Sequence, residues 1–105
     1  MTERRALYEL TESVVQRRSV KMLRDAGWYV HITAQDKATR KHVAGLPDAI
    51  AFRDNHTLLI EFKGHNGAPR QSQIDFRLAV NKHEGPNLRY LLVFHPSQLR
   101  AWVRE

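Results

Sequence analysis

Gly45-Leu46-Pro47-Asp48, the apolar run Ala49-Ile50-Ala51-Phe52, and then Ile60-Glu61-Phe62-Lys63 form the stretch on which the reading of this chain turns. The two apolar runs flank the polar loop Arg53-Asp54-Asn55-His56, the pattern of a β-hairpin. Along a strand from Thr57 to Lys63, side chains alternate between faces. Glu61 and Lys63 then share one face with Leu59, while Leu58, Ile60 and Phe62 take the other. Asp48 stands where the preceding strand begins, so two carboxylates and an amine are expected to converge at one end of the sheet. Those residue types suit a divalent cation with a positive side chain beside it. Taken alone, Glu61 and Lys63 could equally form a surface ion pair on an edge strand.

On the N-terminal side, Glu3 to Ala26 contains neither Pro nor Gly and carries Leu7, Leu10, Val14, Val15, Val20, Met22 and Leu23. It is expected to be a helix stopped by Gly27. Positions 12, 16, 20 and 23 follow helical spacing, which brings Glu12 to the edge of the core. Trp28 to Thr33, rich in aromatic and β-branched residues, reads as the first strand. The segment Ala34 to Gly45 has no period and holds Lys37, Arg40, Lys41 and His42, a basic loop placed to grip phosphates or simply to be solvated. On the C-terminal side, Gly64 to Pro69 breaks regular structure. A second helix runs from about Pro69 or Arg70 to His83, ended by Gly85-Pro86, followed by a strand Leu88 to Phe94 and a short helix or turn from Pro96 to Val103. Trp28 and Trp102 are read as core or interface residues. The histidines lack the spacing of common zinc motifs; His65 is the one expected nearest the acids.

The Pro-Asp, spacer and Glu-X-Lys order resembles the PD-(D/E)XK nuclease superfamily, and within it the small VRR-NUC (virus-type replication-repair nuclease) domains. The resemblance spans roughly Glu9 to Phe94 and extends to a helix acid before the first strand and a helix glutamine after the lysine. It implies an α/β fold with a restriction-endonuclease-like core: a central mixed β-sheet flanked by helices, ordered αβββαβ with a short C-terminal helix, in one domain covering residues 1–105. It further implies a metal-dependent phosphodiesterase. Asp48, Glu61, the backbone carbonyl of Phe62 and Glu12 would hold the metal; Lys63 would be the catalytic lysine; Gln73 would orient Lys63 or a water. Glu9 competes with Glu12 for the helix acid, and Gln71 with Gln73 for the glutamine. The implied cofactor is Mg²⁺, with Mn²⁺ able to substitute, and no small-molecule cofactor.

Composition agrees with that direction. The chain has 105 residues, a formal net charge of +6 and no cysteine. Its excess of base points to a polyanionic partner, with Lys37, Arg40, Lys41, His42 and Arg70 as candidate contacts. The absence of cysteine leaves packing as the only support of the fold and suits a reducing cytoplasm. No apolar run approaches the roughly 20 residues that span a bilayer, and the N-terminus shows no apolar signal segment, so no membrane partner is expected. The expected activity is DNA endonuclease, selective for branched, flap or junction structures in replication or repair, acting as a homodimer because one small protomer cannot grasp two arms of a substrate. The alternatives are a non-catalytic nucleic-acid-binding module and an RNA-directed nuclease.

Overall fold

A computed structural model of the chain describes residues 9–33 and 45–104. The first helix, α1 (Glu12–Asp25), is set by chemistry at both ends. The Thr11 hydroxyl accepts a hydrogen bond from the Val14 N–H at 3.4 Å, satisfying a donor that the helix leaves open, and Glu12 in the first turn complements the helix dipole. The helix therefore starts later than the expected Glu3: Glu9 and Leu10 precede it in non-helical backbone, and positions 1–8 lie outside the described residues. At the other end Gly27 has φ +94°, with Trp28 N–H donating to the Leu23 carbonyl at 2.9 Å and Gly27 N–H to that of Arg24 at 3.0 Å. This pair of bonds is the Schellman stop, and it needs a residue at ease with positive φ.

Four strands follow in one sheet: β1 (Tyr29–Ile32), β2 (Ala49–Arg53), β3 (His56–Phe62) and β4 (Leu88–Val93). They lie in the order β1-β2-β3-β4. The first three are antiparallel neighbours, and Asp54 at φ +54° turns the hairpin between β2 and β3. β4 runs parallel to β3, which requires a crossover. Helix α2 (Gln71–Asn81) supplies it. A 3₁₀ turn, Pro96–Leu99, and helix α3, Arg100–Val103, complete the described chain. The architecture is α/β, a four-stranded mixed sheet flanked by helices, consistent with a restriction-endonuclease-like core. The expected lysine end of β3 extends by one rung, since Lys63 N–H donates to the Val93 carbonyl at 3.0 Å.

The two sheet faces are covered by different helices. Leu58, Ile60 and Phe62 point into a cluster with Ala49, Ala51, Val30 and Val93, against Val15, Val20 and Leu23 of α1. Trp28 belongs to that cluster, and its indole N–H donates to the Trp102 carbonyl at 2.8 Å. The alternate residues of β3 and β4 face α2, where Phe76 meets Tyr90 with ring centroids 6.3 Å apart. No described helix is long and apolar enough to cross a membrane.

The buried stripe of α1 is Val15, Ser19, Val20 and Leu23. It is rotated from the expected 12, 16, 20, 23 spacing, so Glu12 is exposed and Gln16 half-buried. Ser19 is fully buried and its hydroxyl has no hydrogen-bond partner. Desolvating a hydroxyl without compensation costs about 1–3 kcal/mol, and alanine is the better helix former. Ser19→Ala is expected to stabilise the domain by about 1 kcal/mol, read as a rise of roughly 4–8 °C in Tm by calorimetry. An unchanged or lower Tm would mean the hydroxyl is satisfied in solution.

Candidate active site

The carboxylates meet because of strand register. β2 and β3 pair with Ala49 opposite Ile60 and Ile50 opposite Leu59. One more step in that register sets Asp48 opposite Glu61 on a common face, where cross-strand Cβ atoms stand about 4.5–5.5 Å apart. Asp48 is held from both sides. Its Oδ2 accepts the Phe62 N–H at 2.9 Å, and its carbonyl accepts the Thr33 N–H at 2.9 Å. The Thr33 hydroxyl adds a bond to the Pro47 carbonyl.

Gly45 explains the glycine of the Gly-Leu-Pro-Asp segment. It has φ +91°, and a Cβ there would run into the carbonyl of Ser72 in the first turn of α2. The segment thus lies directly on the helix that carries Gln73. Gly45→Ala combines positive-φ strain of about 1–2 kcal/mol with a backbone collision, so a loss of at least about 2 kcal/mol in denaturant unfolding is expected. A loss under about 0.5 kcal/mol would show that loop and helix are not in contact.

Glu61, Lys63 and Gln73 are all buried, at 1%, 6% and 8% exposure. Gln73 Oε1 accepts the Arg70 N–H at 2.8 Å, which as a backbone donor fixes the orientation of the amide. Its Nε2 must then donate, and it does so to Glu61 Oε1 at 2.7 Å. The second oxygen of Glu61, Oε2, is buried with no hydrogen-bond partner. Burial first, and then the neighbouring charge of Asp48, push the Glu61 carboxyl up to about 8. Glu12 adds to the rise and Lys63 opposes it. Tyr90 is raised as well, by burial first and then by the charges of Glu61 and Asp48. Behind the lysine, Gly67 packs so closely that a Cβ would come within 3.1 Å of Lys63 Cβ and 3.3 Å of Cδ. The turn after β3 therefore steadies the lysine stem.

Asp48, Glu61, Lys63 and Gln73 are brought together. The hydrogen bond from Gln73 runs to Glu61, where Lys63 or a water was expected, while Gln71 is exposed and bonded to Asp75 at 2.8 Å. Glu12, at the start of α1, is the nearer of the two helix acids electrostatically, although it remains exposed and no three Asp, Glu or His side chains among the described residues close into a ligand set. Glu9 instead lies 3.9 Å from His65 Nε2, and both are part-exposed, so His65 faces that acid. Arg70 is exposed at the start of α2. Lys37, Arg40, Lys41 and His42 lie outside the described residues. Sequence reasoning missed Thr33, Tyr90 and Gly67. A threonine ending a strand and a tyrosine inside one carry no signal of their own, because their contacts come from other strands.

No family model matches the chain, and no curated protein matches its sequence. The class is defined by geometry: an α/β domain with a buried glutamate bonded to a helix glutamine, a half-buried aspartate beside it, and a buried lysine two residues along the same strand.

Proposed function

We propose that this domain is a metal-dependent endonuclease hydrolysing phosphodiester bonds in DNA, of the VRR-NUC type within the PD-(D/E)XK superfamily. The observation that carries the reading is Glu61 Oε2, an unpartnered buried carboxylate oxygen set beside Asp48. Setting a buried acid beside a half-buried one is costly, and Lys63 offsets only part of that cost; an all-oxygen donor set fits a hard divalent cation. Asp48, Glu61 and the Phe62 carbonyl would hold Mg²⁺ or Mn²⁺, with Glu12 at the margin. Such an ion supplies charge neutralisation at the phosphate and a water of lowered pKa. Glu61 is kept in position by Gln73, and Asp48 by Phe62 and Thr33. Lys63, with its stem packed on Gly67, presents a positive charge to the phosphoryl oxygens as their negative charge grows.

The net charge of +6 supports a polyanionic substrate. The test is incubation with supercoiled plasmid, linear duplex, single strands, a four-way junction and RNA, in Mg²⁺, Mn²⁺ or EDTA. Cleavage in either metal and none in EDTA is expected, with Lys63→Ala and Asp48→Asn inactive yet still bound to DNA in a salt-sensitive manner. Binding without cleavage in any metal would make the domain a non-catalytic module, and cleavage confined to RNA would reassign the substrate.

A further inference from the structure

Among the described residues, half of the active face of the sheet is left open and aromatic. Tyr29 of β1 pairs across the strands with Phe52 of β2. The two rings lie offset, with centroids 6.5 Å and planes 28° apart. They are 67% and 47% exposed, the most exposed aromatic rings among the described residues. Strand alternation puts Phe52 on the same face as Asp48, four residues away along one strand, or about 13 Å. Exposed His31 shares that face, one pleat nearer the acids. Along the β1 edge runs a cleft of about 390 Å³ lined by Arg24, Tyr29 and His31. It shares Arg24 and Ile32 with a second cleft of about 400 Å³ carrying Arg17 and Lys21.

We infer that Tyr29 and Phe52 form a stacking platform for unpaired nucleobases of the nucleic acid whose phosphate lies at the Asp48–Glu61 site, with the edge clefts taking its backbone. The inference rests on the nuclease reading and deepens it by naming a single-stranded stretch next to the cut as the substrate. Charge decides the occupant: Arg24 shares the edge cleft with Tyr29 and His31, Arg17 lies in the adjoining cleft where Lys21 is paired with Asp25, and these two arginines beside an aromatic shelf complement bases joined by phosphates. Area argues the same way. Two rings of this kind offer on the order of 200 Å² between them, against about 800 Å² per partner in a stable protein interface. Two rings match two bases.

The test uses the full chain in EDTA, so that no hydrolysis intervenes. A fluorescein-labelled oligothymidine of about a dozen nucleotides and a blunt duplex of equal length are titrated by fluorescence anisotropy at several salt concentrations. Tyr29→Ala and Phe52→Ala are each expected to weaken single-strand binding about 10-fold, with duplex binding changed less than about 2-fold. Tyr29→Leu keeps apolar cover without a π-face and should lose as much as the alanine variant, whereas Tyr29→Trp should bind like the parent. The dependence on salt should keep its slope in all ring variants and fall by about one in Arg17→Ala. Ring variants that bind the oligothymidine like the parent would overturn the platform, as would equal losses on duplex accompanied by a change of oligomeric state in sedimentation. Ring-dependent binding in a protein that cleaves nothing would overturn the nuclease reading and leave the platform standing. Absence of any oligonucleotide binding at low salt would overturn both.

Discussion

Replacing Glu61 by Gln is expected to lower the rate of metal-dependent cleavage by at least about 10³-fold, the equivalent of several kcal/mol of transition-state charge stabilisation, without harming the fold. The amide is isosteric. Its carbonyl can still accept from Gln73 Nε2, and its NH₂ would replace Oε2, the atom that has no partner. The new donor faces the Asp48 carboxylate, making at every pH the hydrogen bond that Glu61 makes only while it holds its proton. The variant should therefore be at least as stable as the parent near pH 8 while inactive. Single-turnover cleavage assays and denaturant unfolding read the two halves separately. An active Glu61→Gln would remove the carboxylate pair from the mechanism; an inactive but unfolded one would make Glu61 a structural group.

The parent is expected to lose stability as pH rises from about 4.5 to about 8 when no divalent cation is present. In the folded state the Glu61 carboxyl stands at about 8, against an ordinary value of 4.5. Across that window the folded protein holds a proton the unfolded chain has released. The slope of stability is then negative, up to about 1.4 kcal/mol per pH unit. The contribution is fully present below 4.5 and gone above about 8, opposite to the usual effect of a carboxylate stabilised by a cationic partner. Glu61→Gln should flatten this slope. A divalent cation favours the ionised form, so protons compete with it: the Mg²⁺ concentration giving half-maximal activity should fall as pH rises toward 8. Chemical unfolding across pH in EDTA, for parent and variant, checks the sign. A parent curve that rises from pH 5 to 8, or one identical to that of Glu61→Gln, would place Glu61 in a far more polar setting.

Much of this arrangement was legible along the chain because it depends on local chemistry. Alternation along β3 separates Leu58, Ile60 and Phe62 from Glu61 and Lys63, and the hairpin brings Asp48 back beside them. Gly27 stops α1 through a backbone angle that other residues adopt at a cost. The start of α1 was not legible, because an uninterrupted run of helix formers gives no hint that the Thr11 hydroxyl will cap the Val14 N–H. The face of α1 was missed for a related reason. A serine occupies a core position, and apolar periodicity is blind to a buried polar residue.

Residue order alone accounts for which side chains can share a face and where the acids and the lysine fall in the strands, since a period of two and a short turn leave little freedom. Packing between segments far apart in the chain settles the rest. The Arg70 N–H orients Gln73 toward Glu61, Gly45 lets the Pro47-Asp48 loop rest on α2, and Tyr90 arrives from a parallel strand through the crossover. The height of the Glu61 pKa belongs to this second group, because desolvation depends on everything that surrounds a charge and not on its neighbours in the chain.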